Sequence, residues 1–191
     1  MVIARHKFRL LSAIVLIIAA VIGLNTLDNR EQKRTQNTEK KTADIDFFIV
    51  DAAFKSFGND GLLAQSALAT RVEHFKSLQK SDLIAADIST YNGGELSVNI
   101  NSSTAIVENR STQITFVNNV LATSYLENAG KTYLKTERLH YDQLENNMST
   151  DRDIVFKDTF GNITTATGLF IDIDLRKMQL LSNIKGVFNE K

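Results

Sequence analysis

From Ile45 onward, apolar and polar residues alternate with a period of two, interrupted by short clusters of Gly, Asn and Asp. That period puts successive side chains on opposite faces of a β-strand. Gly58 and Gly61, in Phe57-Gly58-Asn59-Asp60-Gly61, predict a hairpin because Gly, Asn and Asp tolerate positive φ, and Gly161 predicts a second turn. Strands of this length predict an all-β sandwich or open barrel. The Ala-rich stretch 62–75 could instead form an amphipathic helix.

One parity of each alternating segment is apolar, and we expect those side chains to face the interior of the domain. Taken singly, each of them fits a plain core position better than a ligand contact. As a set they can line a groove, because an open sheet offers too little opposing material to bury all of them. The predicted interior residues are Phe48, Val50, Phe54, Ile114, Phe116, Val120, Met148, Ile154, Phe156, Ile171, Leu180 and Ile184.

An inexact repeat runs through the second half of the chain. Ala105, Leu139 and Leu169 each open a unit made of an alternating strand, a short polar turn and a second alternating strand. The first offset is 34 residues, from position 105 to 139, and the second is 30, from 139 to 169. Any meander of hairpins produces similar spacing, but three copies with shared offsets favour a genuine repeat. Units that stack on one another leave two open ends. The matched positions are Ile114, Phe116 and Val120, then Met148, Thr150 and Ile154, then Met178, Leu180 and Ile184.

The N-terminus predicts a membrane anchor. A basic tail (1–9) precedes an apolar segment (10–27) that, counted from Phe8, approaches the roughly 20 residues that span a bilayer. A cleaved signal peptide is the alternative, but the apolar run is long and the small-residue cleavage signal is weak. Basic residues on both sides leave the orientation undecided by charge alone, whereas the short tail and the later domain favour an inside N-terminus. A polar linker (28–46) and a folded domain (47–191) complete the chain.

Composition offers no reactive centre. The formal net charge is +0 and the chain has no Cys, so neither nucleic-acid binding nor a thiol site is indicated. His6, His74 and His140 are isolated and lack the spacing of a helical zinc site. No serine nucleophile elbow, phosphate-binding Gly loop or EF-hand ligand set is present. We therefore expect no catalytic residue, metal or cofactor, and favour a scaffold, an adaptor or a carrier of an apolar ligand.

Two segments of the domain, together with the N-terminal apolar segment, carry a family resemblance. They are FKSFGNDGLLAQSALATRVEHF and DIVFKDTFGNITTATGLFIDIDLRKMQLLSNIKGVF. The chain resembles the LptC family, the single-pass inner-membrane component of lipopolysaccharide export in Gram-negative bacteria. The resemblance implies an open, twisted β-jellyroll of antiparallel strands in the periplasm, preceded by one transmembrane helix. It also implies a groove that receives the acyl chains of lipopolysaccharide. Gly161 falls at the family's turn glycine, and Gly58 to Gly61 fall on its first hairpin.

The same resemblance implies protein partners at the two edges of the jellyroll. The N-terminal edge and the membrane helix would contact the LptF and LptG permease pair, whose ATPase subunit is LptB, and the C-terminal edge would contact LptA. Free strand edges recruit other sheets by β-augmentation. We expect Gly168 to open the last long strand. A structural adaptor that binds proteins but no lipid is the alternative function. The residues predicted for the C-terminal edge are Met178, Leu180, Ser182, Ile184 and Val187.

Overall fold

The computed structural model describes residues 45–108, 113–126 and 130–189. The predicted tail (1–9), the predicted membrane span (10–27) and nearly all of the linker (28–46) therefore lie outside the described residues. Within those ranges, no helix is long and apolar enough to cross a membrane. The described residues form β1 Ile45–Phe57, β2 Leu63–Phe75, β3 Lys80–Asn92, β4 Glu95–Glu108, β5 Gln113–Leu126, β6 Gly130–Asp142, β7 Asn147–Asp158, β8 Ile163–Asp172 and β9 Lys177–Val187.

The strands form one sheet in chain order, and each runs antiparallel to the next. Because β1 pairs only with β2, and β9 only with β8, the described sheet is open and has two free edges. The predicted all-β class is confirmed. The helical alternative for 62–75 is wrong, because Leu63–Phe75 is β2 and its backbone is hydrogen-bonded to β1 on one side and β3 on the other.

A line of irregularities, which we call the crease, crosses the sheet near the middle of the strands. At the same level the ladders from β4–β5 to β8–β9 all skip residues. Such bulges bend a strand and increase its twist. Gly168 therefore lies inside β8 at the crease, and the expectation that it opens the strand is wrong. Positive φ marks the crease at Asp51, Ala85, Asn118, Asn119, Gly168 and Asn183.

The crease divides the sheet into two halves whose inner faces share one hydrophobic core. Half A contains the start of β1 and the β2–β3, β6–β7 and β8–β9 turns, and half B contains the end of β1 and the β1–β2, β3–β4 and β7–β8 turns. Each half has an inner row of residues that pair in register across all nine strands. Row A is Phe47, His74, Ser81, Val107, Ile114, Tyr141, Met148, Ile171 and Met178, and row B is Phe54, Ala67, Ile88, Ile100, Ala122, Leu134, Phe156, Thr164 and Gly186.

The inward orientation expected for Phe48 and Val50 is wrong. Their side chains are 55% and 56% exposed, whereas the intervening Ile49 packs against the core. Asp51 has a φ of 51° at the crease. Val50 pairs with Arg71 and Ala52 with Ala69, so the register is kept there, but the kink exchanges the two faces of the strand. On the outer face, the Arg71 guanidinium lies 4.1 Å from the centre of the Phe48 ring. The period-two pattern of β1 therefore applies separately to the two sides of the kink.

The three repeat units occupy three successive hairpins, β4–β5, β6–β7 and β8–β9. Their anchor residues Ala105, Leu139 and Leu169 are each 0% exposed. Ala105 pairs with Phe116, and Leu169 pairs with both Thr150 and Leu180. The repeat in the sequence thus corresponds to a repeated hairpin whose first strand places one side chain in the deepest layer of the core.

Candidate functional site

The inner face of the folded sheet carries most of the predicted interior residues, but they differ in how far they are covered. Four of them, Ile114, Phe116, Val120 and Ile154, are fully buried in the core. A second group is only half-buried and packs against that core: Phe54, Met148, Phe156, Ile171 and Leu180. Because a buried side chain has no free surface, the half-buried group is the part of this face that a ligand can touch first.

The repeat gives an internal comparison of burial along the sheet. Val120 in β5 and Ile154 in β7 are 2% and 1% exposed, whereas the equivalent Ile184 in β9 is 57% exposed. The first matched position of each repeat unit shows the same trend, since Ile114 is buried and Met178 is exposed. β5 and β7 have a strand on each side, whereas β9 has one only on the β8 side. The inner face therefore becomes uncovered at the C-terminal edge.

The residues predicted for the C-terminal edge all lie on β9. Met178 and Leu180 pair with Ile171 and Leu169 in the last two inner positions of half A. Ser182 donates a hydrogen bond of 3.0 Å to the backbone carbonyl of Thr167. Ile184 and Val187 are exposed. The other edge of the described sheet is β1, and the full width of nine strands separates the two edges.

A buried histidine closes row A beside the N-terminal edge. The Nδ1 atom of His74 lies 3.0 Å from Ser81 Oγ, and its ring stacks on Phe47 with centroids 4.8 Å apart. Its Nε2 atom lies 3.8 Å from the carboxylate of Asp46. His74 and Ser81 are both fully buried, so neither can reach a substrate, and the arrangement satisfies a polar group inside the core. In the part of the chain that is described, no group of three acidic or histidine side chains could hold a metal ion.

The predicted turn glycines lie at one end of half B. Gly61 has a φ of 78° in the β1–β2 turn, where its N–H donates to the Gly58 carbonyl at 3.0 Å. Gly161 has a φ of 87° in the β7–β8 turn. Desolvation opposes ionisation of Asp158 in that second turn, but hydrogen bonds from Asn162 outweigh it, helped by backbone N–H donors of the turn, and hold the pKa of Asp158 below its usual value.

Tyr141 is a second titratable group of the inner face, besides His74. It lies in row A, and its hydroxyl donates to Asn146 Oδ1 at 3.4 Å. Burial, with smaller contributions from the charges of Asp174 and Asp142, raises the pKa of Tyr141 to about 12. The phenol therefore stays neutral on a face that is otherwise mainly apolar, which suits contact with hydrocarbon.

Sequence reasoning missed several parts of this site. Phe47 and Ile49 face inward because of the kink at Asp51, which the alternation does not reveal. Ile88 and Val98 are not among the predicted interior residues, although both are half-buried and pack against the core. Counting apolar residues on each parity would have found Ile88 and Val98.

Two comparisons with known proteins give matches, one to a protein family and one to a solved structure. The family model described as lipopolysaccharide-assembly, LptC-related, matches residues 13–189. The crystal structure of LptH, the LptA homologous periplasmic component of the conserved lipopolysaccharide transport device from Pseudomonas aeruginosa, superposes with a TM-score of 0.53 at 10% identity. The match covers 66% of this chain and 95% of LptH, and at this identity it shows a shared fold alone. No curated protein matches the chain.

Proposed function

Because the chain belongs to the LptC-related family of lipopolysaccharide assembly and has a role in lipopolysaccharide transport, we propose that it is the membrane-anchored relay of that pathway. It would receive lipopolysaccharide from the inner-membrane ABC transporter and pass it to a periplasmic bridge protein. Residues 10–27 would anchor it in the inner membrane as a single span, and the sheet would lie in the periplasm. LptF and LptG, with their ATPase LptB, would contact the N-terminal edge, and LptA the C-terminal edge.

The observation that carries this proposal is the change in burial along the repeat. The inner face runs across nine strands and is covered at Val120 and Ile154 but open at Ile184. A sheet added to β9 would extend the same inner face and cover these positions by β-augmentation. An apolar surface that continues from one protein into the next is what the hydrocarbon part of a lipid requires. The proposal includes no catalysed step and no cofactor.

Acyl chains would first contact the half-buried inner residues, such as Phe156, Ile171 and Leu180. Burying hydrocarbon contributes about 0.8 kcal/mol per methylene, so a few covered methylenes suffice to hold a lipid. Deeper binding would have to displace contacts of Phe116 and Leu139, which are packed like a protein interior. We therefore expect a shallow and reversible association, which suits a carrier that must also release its lipid.

The test is site-specific photo-crosslinking on the two faces of the same strands. A photo-reactive residue at Phe156 or Leu180 should capture lipopolysaccharide in the intact envelope. The matched controls are the adjacent Val155 and Leu181, which are exposed and lie on the opposite face. Equal labelling at the adjacent positions would show that the lipid does not discriminate between the faces, and the groove would have to be abandoned.

A structural adaptor without lipid is the second candidate. It is favoured by the free edge at β9, where apolar side chains such as Leu181 and Val187 are exposed together with the strand backbone. Truncation before Met178 should abolish binding of a partner jellyroll under either proposal. The two proposals differ in the full-length chain, where only the relay predicts that a crosslinker at Phe156 captures lipid. Phe156 lies outside the truncated segment.

A further inference from the structure

The two ends of the folded sheet carry different charges near the β6–β9 strands. At the end of half A, the β6–β7 and β8–β9 turns contain exposed Leu144 and Leu175, with Asp142 Oδ1 accepting from the Leu144 N–H and Asp172 Oδ1 from the Leu175 N–H. With Glu145 and Asp174, four acids stand in or beside these turns against the two cations Arg176 and Lys177. This end, which we call the acidic lip, repels an anion.

The opposite end, at half B, carries lysines instead. Lys131 is the second residue of β6, and Lys157 is the last but one of β7. Tyr133 pairs with Lys157, so Lys131 lies on the diagonal from Lys157, with Cα atoms roughly 7–8 Å apart. Leu134 and Phe156 occupy the inner face, so these lysines and Tyr133 share the outer face at the rim. We call this surface the lysine lip.

Further lysines extend the lysine lip along the outer face. Lys135 pairs with Val155 on β7 and lies two residues beyond Tyr133, on the other diagonal from Lys157. Lys185 pairs with Thr165, which pairs with Val155, so it continues the same row to the C-terminal edge. All four lysines are exposed. The charge is therefore concentrated on β6, β7 and β9.

Local contacts hold this surface in place but leave its charge available. The Lys131 ammonium lies 5.0 Å from the centre of the Tyr125 ring. A Cβ on Gly130 would collide with Thr159 Oγ1, so the start of β6 fits closely against the β7–β8 turn. Asp158, the residue after Lys157, accepts hydrogen bonds from the N–H groups of Phe160 and Asn162 in its own turn. Among the described residues, no carboxylate lies within ion-pair distance of these lysines.

We propose that Lys131 and Lys157 bind the phosphate groups of the lipid head group at the rim of half B, with Lys135 and Lys185 extending the contact. The inference rests on the proposed function, because it takes the ligand to be a phosphorylated glycolipid whose hydrocarbon lies on the inner face. A head group that emerges between the two lips meets acids on one side and lysines on the other. Its phosphates therefore turn toward the lysine lip, which fixes the orientation of the lipid.

Tyrosines favour a phosphorylated saccharide over an acidic protein as the occupant. Tyr125 and Tyr133 stand among the lysines on the outer face, and an aromatic face with a hydroxyl at its tip suits a sugar ring. Lysine binds phosphate as a flexible point charge, without the planar fork that arginine offers a carboxylate. If the head group fails to bind, the alternative ligand of the lysine lip is an acidic protein surface.

The test uses the full chain in detergent micelles and lipopolysaccharide head group freed of its acyl chains. Binding is followed by amide chemical shifts, with the same head group stripped of phosphate as the comparison probe. We expect the largest shifts at Lys131 and Lys157, and affinity about tenfold lower in the K131Q/K157Q variant. The matched control is K55Q/K76Q, which removes two exposed lysines that belong to neither lip and should bind like wild type.

The outcomes separate this inference from the relay itself. Equal loss in K55Q/K76Q, or equal binding of the phosphate-free probe, would overturn the lysine lip in favour of unspecific charge attraction. Absence of head-group binding together with successful crosslinks at Phe156 would also overturn it and leave the relay standing. Lysine-dependent head-group binding without any crosslink from the inner face would support the lysine lip and reject the groove.

Discussion

Replacing Gly168 by alanine tests whether the crease at the C-terminal edge depends on a glycine. Gly168 has a φ of 80°, a conformation that costs an L-residue roughly 1–2 kcal/mol. A Cβ at this position would lie 2.8 Å from Leu181 Cδ1 and 3.1 Å from Leu181 Cβ. Leu181 is exposed, so its Cδ1 can swing away, whereas its Cβ moves only with the β9 backbone. The substitution should therefore loosen β9 from β8.

The two costs can be separated with a second substitution. Alanine also restricts the unfolded chain, which offsets roughly 0.4–1 kcal/mol. We expect a net loss of about 2 kcal/mol for G168A, from backbone strain and the contact with Leu181 together. In the L181G background the Cβ of residue 181 is also absent and the contact is removed, so the same change should cost only about 1 kcal/mol.

Hydrogen exchange of the β9 amides in the full chain measures this local opening directly. The expected losses correspond to exchange roughly 30-fold faster in G168A and about fivefold faster when G168A is added to L181G. Amides of β2 and β3, far from the crease in β8, serve as the internal control and should not change. Wild-type exchange in G168A, or its complete rescue by L181G, would refute the argument that backbone strain contributes.

Three other perturbations follow from burial and titration. Leu169→Ala should lower the free energy of unfolding by roughly 2–5 kcal/mol in a denaturant titration, whereas Leu175→Ala, in an exposed turn, should change it little; similar losses would contradict the assignment of the core. Because the folded-state pKa of Asp158 is lowered, its stabilisation is present above the unfolded pKa and is lost as pH falls through the folded pKa. The D158N variant should therefore lose less stability than wild type as the pH is lowered, and an equal loss in both proteins would contradict this. Because the pKa of Tyr141 is raised to about 12, its stabilisation is lost as pH rises from about 10 to 12, and Y141F should remove that alkaline loss, as followed by thermal unfolding.

Much of the fold could be predicted from the sequence because the alternation of side chains is a local property. On each side of the crease most strands bury one parity, so the period of two predicted the all-β class and most inner residues. The repeat was equally informative, since its three anchors Ala105, Leu139 and Leu169 proved to have no exposed surface. A strand that must place one side chain in the deepest layer keeps that position apolar in every hairpin.

Tertiary structure decided the features that depend on neighbouring strands. The kink at Asp51 moved Phe48 and Val50 to the outer face, because one residue in a left-handed conformation exchanges the faces of a strand without altering its composition. Ile154 and Ile184 occupy equivalent places in the repeat, yet one is buried and the other open, because β7 has a strand on each side and β9 has one only on the β8 side. Alternation along the sequence determined which residues could form an apolar face. The crease and the order of strands determined where that face is covered and where it remains free to meet a lipid or another sheet.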